Sequence, residues 1–418
     1  MRLTFVFFAL FVAGASALWA ENFPELIGDG VADDTSAIQA RLDAGSSCVS
    51  LPPPAKAYRI SKTLKIGSGQ ELRLDRFSVI RLAPQSNCPM IENRCYAGGG
   101  TNEFLAVTGG IWDMDNLNQR ANFMVESELR KEAPEAHNPS FFFGMALRFN
   151  NVANMTLRGV TVRNPTTYGI ELAHASYVSV EDIVFDYRTW NSKRINMDGV
   201  HLDGWSHHVR IANLRGTCFD DMVALNANDG ICSPGEGPIS DIDIDGIYCD
   251  YCHSGVRLLS APAPVSNVTI RNVHGNFYIS AVWLTHWRRE RPTGRFDNIV
   301  ISDVFAAKTI PPPEVDCGWR RALALILVEE KEEVGNLVLQ RIFRDEKTLS
   351  VPTFAVRAPT TRIENLVIRD CRMVNRLDTP IKFVDNRGSI DKFVSENNEF
   401  VGSWTDLDGR NRPADGRD

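Results

Sequence analysis

Beyond its N-terminus, the sequence lacks any run of about 20 apolar residues, so no membrane-spanning helix is expected. It also lacks an excess of basic residues, because 45 Lys and Arg stand against 52 Asp and Glu. The net charge of -7 argues against nucleic acid as a partner, since phosphate binding needs a basic surface. With 44% hydrophobic and 23% charged residues, the 418-residue chain is neither a disordered chain nor a collagen.

The N-terminus has the features of an export signal. Arg2 supplies a positive charge, Leu3–Ala13 form an apolar run, and the small residues Ala15–Ala17 follow. The run is too short to span a bilayer comfortably. We therefore expect a signal peptide over residues 1–20 and a secreted or periplasmic protein.

The nine cysteines cannot all pair within the chain, because their number is odd. In an oxidising compartment, Cys88 and Cys95 could close a small loop. Cys249 and Cys252 form a CxxC, but the sequence has no second CxxC to complete a zinc site. We expect a structural bridge or buried thiols there, and no metal or other cofactor.

A seven-residue pattern with alternating β-branched residues recurs along the chain. Successive copies are 23, 31, 33, 26, 31, 38 and 29 residues apart. Each copy reads as a short strand that is followed by a turn. The copies begin at Asn154, Tyr177, His208, Asp241, Asn267, Asn298, Asn336 and Asn365.

A second, shorter apolar run lies between these copies, as in Gly169–Leu172, Gly199–Leu202 and Gly255–Leu259. No long helical periodicity intervenes, so βαβ crossovers are disfavoured. Repeats of this size predict an all-β parallel solenoid, whose coils bury their faces by stacking. A β-propeller would instead need antiparallel hairpins, and hairpin turns of the Asn-Gly type are scarce.

The ends and one interruption complete the predicted organisation. Asp33–Thr35 followed by an apolar-periodic segment predicts a capping helix over the first coil. Residues 116–140 break the strand pattern and predict an inserted loop or helix on one rim. We expect a single solenoid domain over residues 21–405 and a polar tail over 406–418.

The densest polar cluster contains three aspartates, of which Asp198 lies one coil before the adjacent pair Asp220 and Asp221. Asp198 precedes Asp221 by 23 residues, and neighbouring coils lie about 4.8 Å apart. Asp198 should therefore lie beside Asp220 and Asp221 on an outer face. Mutual repulsion should raise the pKa of at least one of them, as acid and base catalysis of glycosidic cleavage requires. The alternative is that Asp-Asp pairs simply end strands.

Several of these segments resemble known families. Gly28–Gln39 is similar to the N-terminal signature of the pectate-lyase-like right-handed β-helices. Asn196–Gly199 resembles the Asn-Thr-Asp-Gly motif of the polygalacturonases, glycoside hydrolase family 28, and Asp220-Asp221 resembles their Gly-Asp-Asp motif. The resemblance implies a right-handed parallel β-helix and a secreted hydrolase that acts on a polysaccharide or oligosaccharide. We also expect a monomer.

The resemblance also implies catalytic roles. Asp220 would protonate the leaving oxygen, while Asp198 and Asp221 would activate the attacking water in an inverting reaction without metal. His253 matches the histidine of the Gly-His-Gly motif, although Cys252–Gly255 displaces that motif by one residue.

The chain departs from the family at the segment that grips the substrate carboxylate. Trp283–Thr285 stand where the family has Arg-Ile-Lys, so no cation occupies that segment. A pectin-like acidic glycan stays open as the substrate, and so does a neutral, differently substituted or sulfated glycan. The residues expected to bind substrate are Asn196, His201, Arg257, His286 and Arg288. His201 has a structural alternative, because strand alternation would place it opposite Asp198 unless a turn intervenes.

Two other functions fit the same residues. A polysaccharide lyase would need a base such as Arg257 and often a calcium ion held by the carboxylates. A non-catalytic glycan-binding solenoid would need neither, since a fold does not specify its function. Trp190, Trp205, Trp283 and Trp287 could stack on sugar rings in any of these proteins, although packing is the commoner role.

Overall fold

The computed structural model describes residues 23–227, 233–286, 290, 292–313, 315 and 322–407. The expected signal peptide and all but residues 406 and 407 of the expected tail lie outside this part. Every strand pair that these residues form is parallel, and the strands stack into successive coils. The predicted parallel solenoid is therefore confirmed.

The strands are numbered in chain order. The N-terminal coils contain β1 (Asp29–Asp33), β2 (Cys48–Leu51), β3 (Ala57–Ile60), β4 (Leu64–Ile66), β5 (Glu71–Leu74), β6 (Val79–Leu82), β7 (Ile91–Asn93), β8 (Asn102–Thr108) and β9 (Ile111–Asp113). The central coils contain β10 (Leu147–Arg158), β11 (Thr161–Arg163), β12 (Ile170–Glu181), β13 (Val184–Asp186), β14 (Val200–Asp203), β15 (Ser206–Thr217), β16 (Asp221–Asn226), β17 (Ile239–Leu259) and β18 (Val265–Thr285). The C-terminal coils contain β19 (Gly294–Lys308), β20 (Ile326–Val328), β21 (Glu332–Glu346), β22 (Phe354–Val356), β23 (Arg362–Arg369), β24 (Arg372–Asn375), β25 (Ile381–Lys382), β26 (Val384–Asn386), β27 (Ser389–Glu396), β28 (Glu399–Val401) and β29 (Trp404–Thr405).

The recurring sequence pattern forms one continuous sheet along the solenoid. Its second residue pairs with its counterpart in the next coil at every step, because that side chain must point into the core. The pairs run in order through Met155, Val178, Val209, Ile242, Val268, Ile299, Leu337 and Leu366. The spacing read from the sequence is thus the length of each coil.

The polar residue that opens each copy lies at a corner of the coil. Asn154, Asp241, Asn267 and Asn298 all have positive φ angles near 55°, a conformation that Asn and Asp tolerate well. From Asp241 onward these side chains form a hydrogen-bonded ladder; for example, Asn298 Nδ2 donates to Asn267 Oδ1 at 3.1 Å. The corner conformation explains why asparagine recurs at this position.

The shorter apolar runs form a second sheet, which carries the candidate site. Val200 pairs with Val223, and Val223 pairs with Val256, each one coil further on. All three side chains are completely buried. Because side chains alternate along a strand, the neighbours of these valines in each strand point to the outside of the solenoid.

Two helical segments accompany the strands. α1 covers Thr35–Asp43, with Ile38 and Leu42 buried in the main core. The carboxylate of Asp33, and not that of Asp34, accepts the N–H of Thr35. That α1 caps the first coil stays a prediction. In the segment expected on one rim, a 3-10 turn covers Asn116–Asn118 and α2 covers Ser127–Glu132.

Cys88 and Cys95, which could have closed a small loop, do not form a bridge, and both thiols are free. Cys88 Sγ lies 3.9 Å from the carbonyl oxygen of Ser61, a residue of the preceding coil. Cys249 and Cys252 are also free and are buried, so the alternative of buried thiols is correct for them. None of the described helices has the length and apolar character needed to cross a membrane.

Candidate functional site

Asp198 and Asp221 lie directly above one another in neighbouring coils. Asp198 lies in the turn before β14, and Asp221 opens β16. The N–H of Gly199 donates to the carbonyl oxygen of Asp221 at 2.9 Å, and the N–H of Asp221 donates to Asp198 Oδ1 at 3.1 Å. The backbone of one coil therefore fixes the carboxylate of the other.

Gly199 makes this close approach possible. A Cβ atom at this position would lie 2.5 Å from the carbonyl oxygen of Met222 and 2.8 Å from the ring of Phe185. Neither contact is sterically acceptable, so only glycine fits here. The glycine of the Asn196–Gly199 motif thus serves the packing of the coils, while Asp198 supplies the carboxylate.

Asp220 and His253 complete a compact acidic cluster. Asn196 donates its N–H to Asp220 Oδ2 at 3.1 Å. His253 Nδ1 lies 3.3 Å from Asp220 Oδ1 and 3.7 Å from Asp221 Oδ1. The histidine reaches both carboxylates because Ser254, the residue after it, pairs with Asp221. The displaced motif therefore still brings its histidine to the cluster.

His201 binds Asp198 instead of pointing away from it. Its Nδ1 lies 2.7 Å from Asp198 Oδ2, and its Nε2 lies 3.5 Å from Asp203 Oδ1. The turn at Asp198 breaks the strand alternation that would have separated the two side chains. The ring of Tyr168 stacks on the imidazole with a centroid distance of 3.9 Å and an interplanar angle of 4°. These contacts fix the position of the imidazole.

Arg257 lies beside the position that the family fills with a cation. It pairs in register with Trp283 of the next coil, and its guanidinium lies 4.3 Å from the centre of that indole ring. Its Nη1 is also 3.6 Å from Asp221 Oδ2. A positive charge therefore reaches this part of the site from the preceding coil.

The pKa values of the buried aspartates are separated by their surroundings. Burial raises the pKa of Asp198 to about 7, and the charges of Asp220 and Asp221 add to this effect. Burial also opposes ionisation of Asp221, but Arg257 and His253 outweigh it and lower its pKa. The expected rise towards neutrality thus falls on Asp198, and its main cause is burial.

The pKa of His201 moves in the direction that its acidic neighbours favour and burial opposes. Burial opposes its protonation, but the charge of Asp203 and the hydrogen bond to Asp198 outweigh burial and raise its pKa well above the usual value. A protonated His201 stabilises the ionised form of Asp198. The histidine and the aspartate therefore act as one titrating unit.

Asp198, Asp220, Asp221, His201 and Arg257 line a cleft of about 210 Å³, whereas His253 is not among its lining residues. One wall comes from the segment that carries α2, which contributes Met124 and Arg130. The predicted rim insertion therefore borders the site. The lining residues from the coils are Tyr168, Ile195, Asn196, Asp198, His201, Asp220, Asp221, Ala224, Asn226, Arg257 and Leu259.

Two residues expected to bind substrate are not placed in this cleft. His286 lies outside the cleft lining, and its Nδ1 is 2.7 Å from Oε1 of the buried Glu332. His286 is buried beside this carboxylate, and substrate contact by His286 stays a prediction. Arg288 lies outside the described residues, as do Trp287 and Arg289.

Sequence analysis missed two residues next to the aspartates. Tyr168 lies one coil before Asp198, since the N–H of Gly169 donates to the carbonyl oxygen of Asp198. The coil spacing could have identified it, but no motif includes it. Asp203 is completely buried and accepts a hydrogen bond from Asn226 Nδ2 at 2.9 Å.

One group of side chains at the edge of the cleft lining could hold a metal ion. Asp220, Asp221 and His253 each offer a ligand atom, and these atoms lie within 4.8 Å of one another. Two carboxylates and an imidazole do not match the all-oxygen shell that calcium prefers. Imidazole is a usual ligand of zinc and other transition metals.

Comparison with protein families supports the resemblance that the motifs indicated. Residues 131–276, about a third of the chain, match the family described as "Glycosyl hydrolases family 28". The matched segment contains Asp198, Asp220, Asp221 and His253. No curated protein is significantly similar to the whole sequence.

Solved structures share the fold over nearly the whole chain. The surface adhesin PfbA of Streptococcus pneumoniae is 15% identical, with a TM-score of 0.60 and 90% of each chain covered. A hyperthermoactive exopolygalacturonase of Thermotoga maritima is 15% identical, with a TM-score of 0.52, and 91% of this chain and 90% of the enzyme are covered.

The A-module of the mannuronan C-5 epimerase AlgE4 of Azotobacter vinelandii is also 15% identical, with a TM-score of 0.52, and 91% and 97% of the two chains are covered. These similarities support the expected β-helix. Because these proteins have different functions, the similarities show the fold and not the activity.

Proposed function

We propose that this protein is a glycoside hydrolase that cleaves a polysaccharide with three aspartates and a water molecule. The observation that carries the proposal is the meeting of Asp198, Asp220 and Asp221 at one cleft, with His253 Nδ1 3.3 Å from Asp220 Oδ1. Their environments differ, as a reaction that needs both a proton donor and a proton acceptor requires. The family match over residues 131–276 supports the same chemistry.

Asp220 is the proposed general acid. Its side chain is 16% exposed, against 4% for Asp198 and 3% for Asp221, so it is the most accessible of the three to a glycosidic oxygen. In the proposed step the proton of Asp220 goes to the leaving oxygen as the C–O bond breaks. His253, at 3.3 Å, holds the resulting carboxylate in place.

Asp198 and Asp221 are the proposed bases. Arg257 and His253 keep Asp221 ionised, and His201 stabilises the ionised form of Asp198. A water between the two carboxylates would lose a proton to them as it attacks the anomeric carbon from the opposite face. This arrangement gives inversion at the anomeric centre.

An activity assay with polysaccharides of different charge tests the proposal and shows which class of polysaccharide is the substrate. The purified protein is incubated with a panel of acidic and neutral polysaccharides, and new reducing ends are measured. We expect release from at least one polymer, and loss of that release in Asp220→Asn. Asp378→Asn is the matched control, because Asp378 is exposed and far along the chain from the cleft.

Metal-dependent elimination is the second candidate, and the ligand group of Asp220, Asp221 and His253 is the observation that favours it. Elimination would give an unsaturated product that absorbs ultraviolet light, and a chelator would abolish it. Chelator-resistant release of saturated products would exclude it. Binding of a polysaccharide without turnover would instead indicate a glycan-binding protein.

A further inference from the structure

Trp205 is the one exposed tryptophan among the five that the structure describes, with 54% of its surface accessible. It lies in the turn between β14 and β15 and has a φ angle of 61°. Bulky residues rarely adopt this left-handed conformation. At the equivalent corner two coils earlier stands Asn151, with a φ angle of 55°. The corner therefore does not need an indole for its backbone geometry.

A glycine loop holds the indole of Trp205 in place. A Cβ atom at Gly237 would lie within 2.5 Å of three ring atoms of Trp205, so the ring packs directly on the glycine backbone. The N–H of Trp205 donates to the carbonyl oxygen of Pro238 at 3.0 Å, and the N–H of Gly204 donates to that of Gly235 at 3.0 Å. The ring is thus fixed on one side and open to solvent elsewhere.

This surface continues from the candidate cleft. The N–H of Gly237 donates to the carbonyl oxygen of Ala227 at 2.8 Å, and Ala227 follows the cleft residue Asn226. Trp205 is two residues beyond Asp203, which accepts a hydrogen bond from Asn226. A ligand that leaves the cleft along β14 would therefore meet the indole.

A pair of stacked aromatic rings lies close to Trp205 along the chain. Tyr177, which is 57% exposed, stacks on His208 with a centroid distance of 4.9 Å. His208 is three residues beyond Trp205, so their Cα atoms are at most about 10 Å apart. The indole and this ring pair offer two exposed aromatic positions that are close along the chain.

We propose that Trp205, with the Tyr177–His208 pair, forms a second polysaccharide-binding surface beside the cleft. Its ligand is the sugar backbone of a polysaccharide, whose C–H groups pack against aromatic rings while its hydroxyls stay in water. The choice of ligand rests on the proposed function. The surface would hold the polymer while the cleft acts on one of its bonds.

Native gel electrophoresis in gels that contain single polysaccharides tests this surface. The parent protein carries Asp220→Asn, so that cleavage does not change the gel. Trp205→Asn removes the indole but keeps a residue suited to the corner, as Asn151 shows. Phe104→Ala is the matched control, since Phe104 is 64% exposed and also has a positive φ angle, 57°.

We expect at least one polysaccharide to retard the parent and the Phe104→Ala variant, and Trp205→Asn to weaken that binding at least tenfold. Equal retardation of Trp205→Asn and the parent, or no retardation of the parent by any polymer, would overturn the proposal. The proposed function is judged separately from the release of reducing ends by the protein with Asp220 intact. Hydrolysis without retardation would refute only the second surface, and Trp205-dependent retardation without hydrolysis would refute only the hydrolase.

Discussion

The imidazole of His201 joins two buried carboxylates, with Nδ1 at 2.7 Å from Asp198 and Nε2 at 3.5 Å from Asp203. Sequence reasoning treated this histidine as a substrate contact or a structural residue. Its position makes it the partner that sets the charge of Asp198. A base whose pKa lies near 7 is sensitive to such a partner.

Replacing His201 should shift the pH dependence of the reaction. In His201→Gln the positive charge is lost, so the pKa of Asp198 should rise further. Because Asp198 must be ionised to accept a proton, the acid limb of kcat/KM should move up by about one pH unit. We expect kcat to fall about 10- to 100-fold at neutral pH.

A full pH profile of kcat/KM checks this shift. Gln is close in size to His and carries no charge, so the variant should keep the fold while it loses the charge beside Asp198. His274→Gln is the control, since His274 stacks on Tyr248 and does not line the cleft. An unchanged acid limb in His201→Gln would show that His201 does not govern the ionisation of Asp198.

Arg257 should control the ionisation of Asp221 in a similar way. Arg257→Ala removes the charge 3.6 Å from Asp221, so the pKa of Asp221 should rise and activity at acidic pH should fall. Arg257→Lys keeps a charge but loses the planar contact with Trp283. We therefore expect a shifted acid limb in the alanine variant and a much smaller shift in the lysine variant. Identical shifts in the two variants would contradict the assigned role of the charge.

Glu171 should make the protein less stable as the pH rises. It is completely buried, accepts a hydrogen bond from Tyr96 at 2.8 Å, and has a pKa that burial and the charge of Asp203 raise to about 8. The unfolded chain releases this proton near pH 4, so the folded state binds more protons between about pH 4 and 8. The free energy of unfolding should fall across this range, by up to about 1.4 kcal/mol per pH unit from this group.

Glu171→Gln should remove that contribution, because a neutral amide keeps an acceptor for Tyr96. Urea unfolding at several pH values between 5 and 8 measures the effect. The stability of the variant relative to the parent should increase with pH, while the exposed control Glu103→Gln should follow the parent. Parallel curves for Glu171→Gln and the parent would refute the raised pKa.

The solenoid could be predicted because its constraints repeat in every coil. Each coil must bury an apolar side chain at the same register, and each corner at Asn154 or Asn267 needs a left-handed residue. The 23-residue spacing from Asp198 to Asp221 therefore predicted that the two residues meet in neighbouring coils, and the N–H of Asp221 does donate to the carboxylate of Asp198. In a solenoid, the spacing of a repeated sequence pattern therefore predicts which residues are neighbours in space.

The parts that could not be predicted depend on side-chain directions at turns and on single contacts. The turn at Asp198 brings His201 to the same side, which strand alternation alone does not foresee. Tyr168 belongs to no motif, although the coil spacing points to it. His286 pairs with Glu332, which is 46 residues further along the chain. No local pattern in the sequence encodes that contact.

Cleavage in water labelled with ¹⁸O tests the central claim most directly. We expect each broken glycosidic bond to place one ¹⁸O atom at the new anomeric carbon, and Asp220→Asn to reduce this incorporation by about 10²- to 10⁴-fold while Asp378→Asn leaves it unchanged. Products without the label, or full labelling by Asp220→Asn, would contradict hydrolysis by these aspartates.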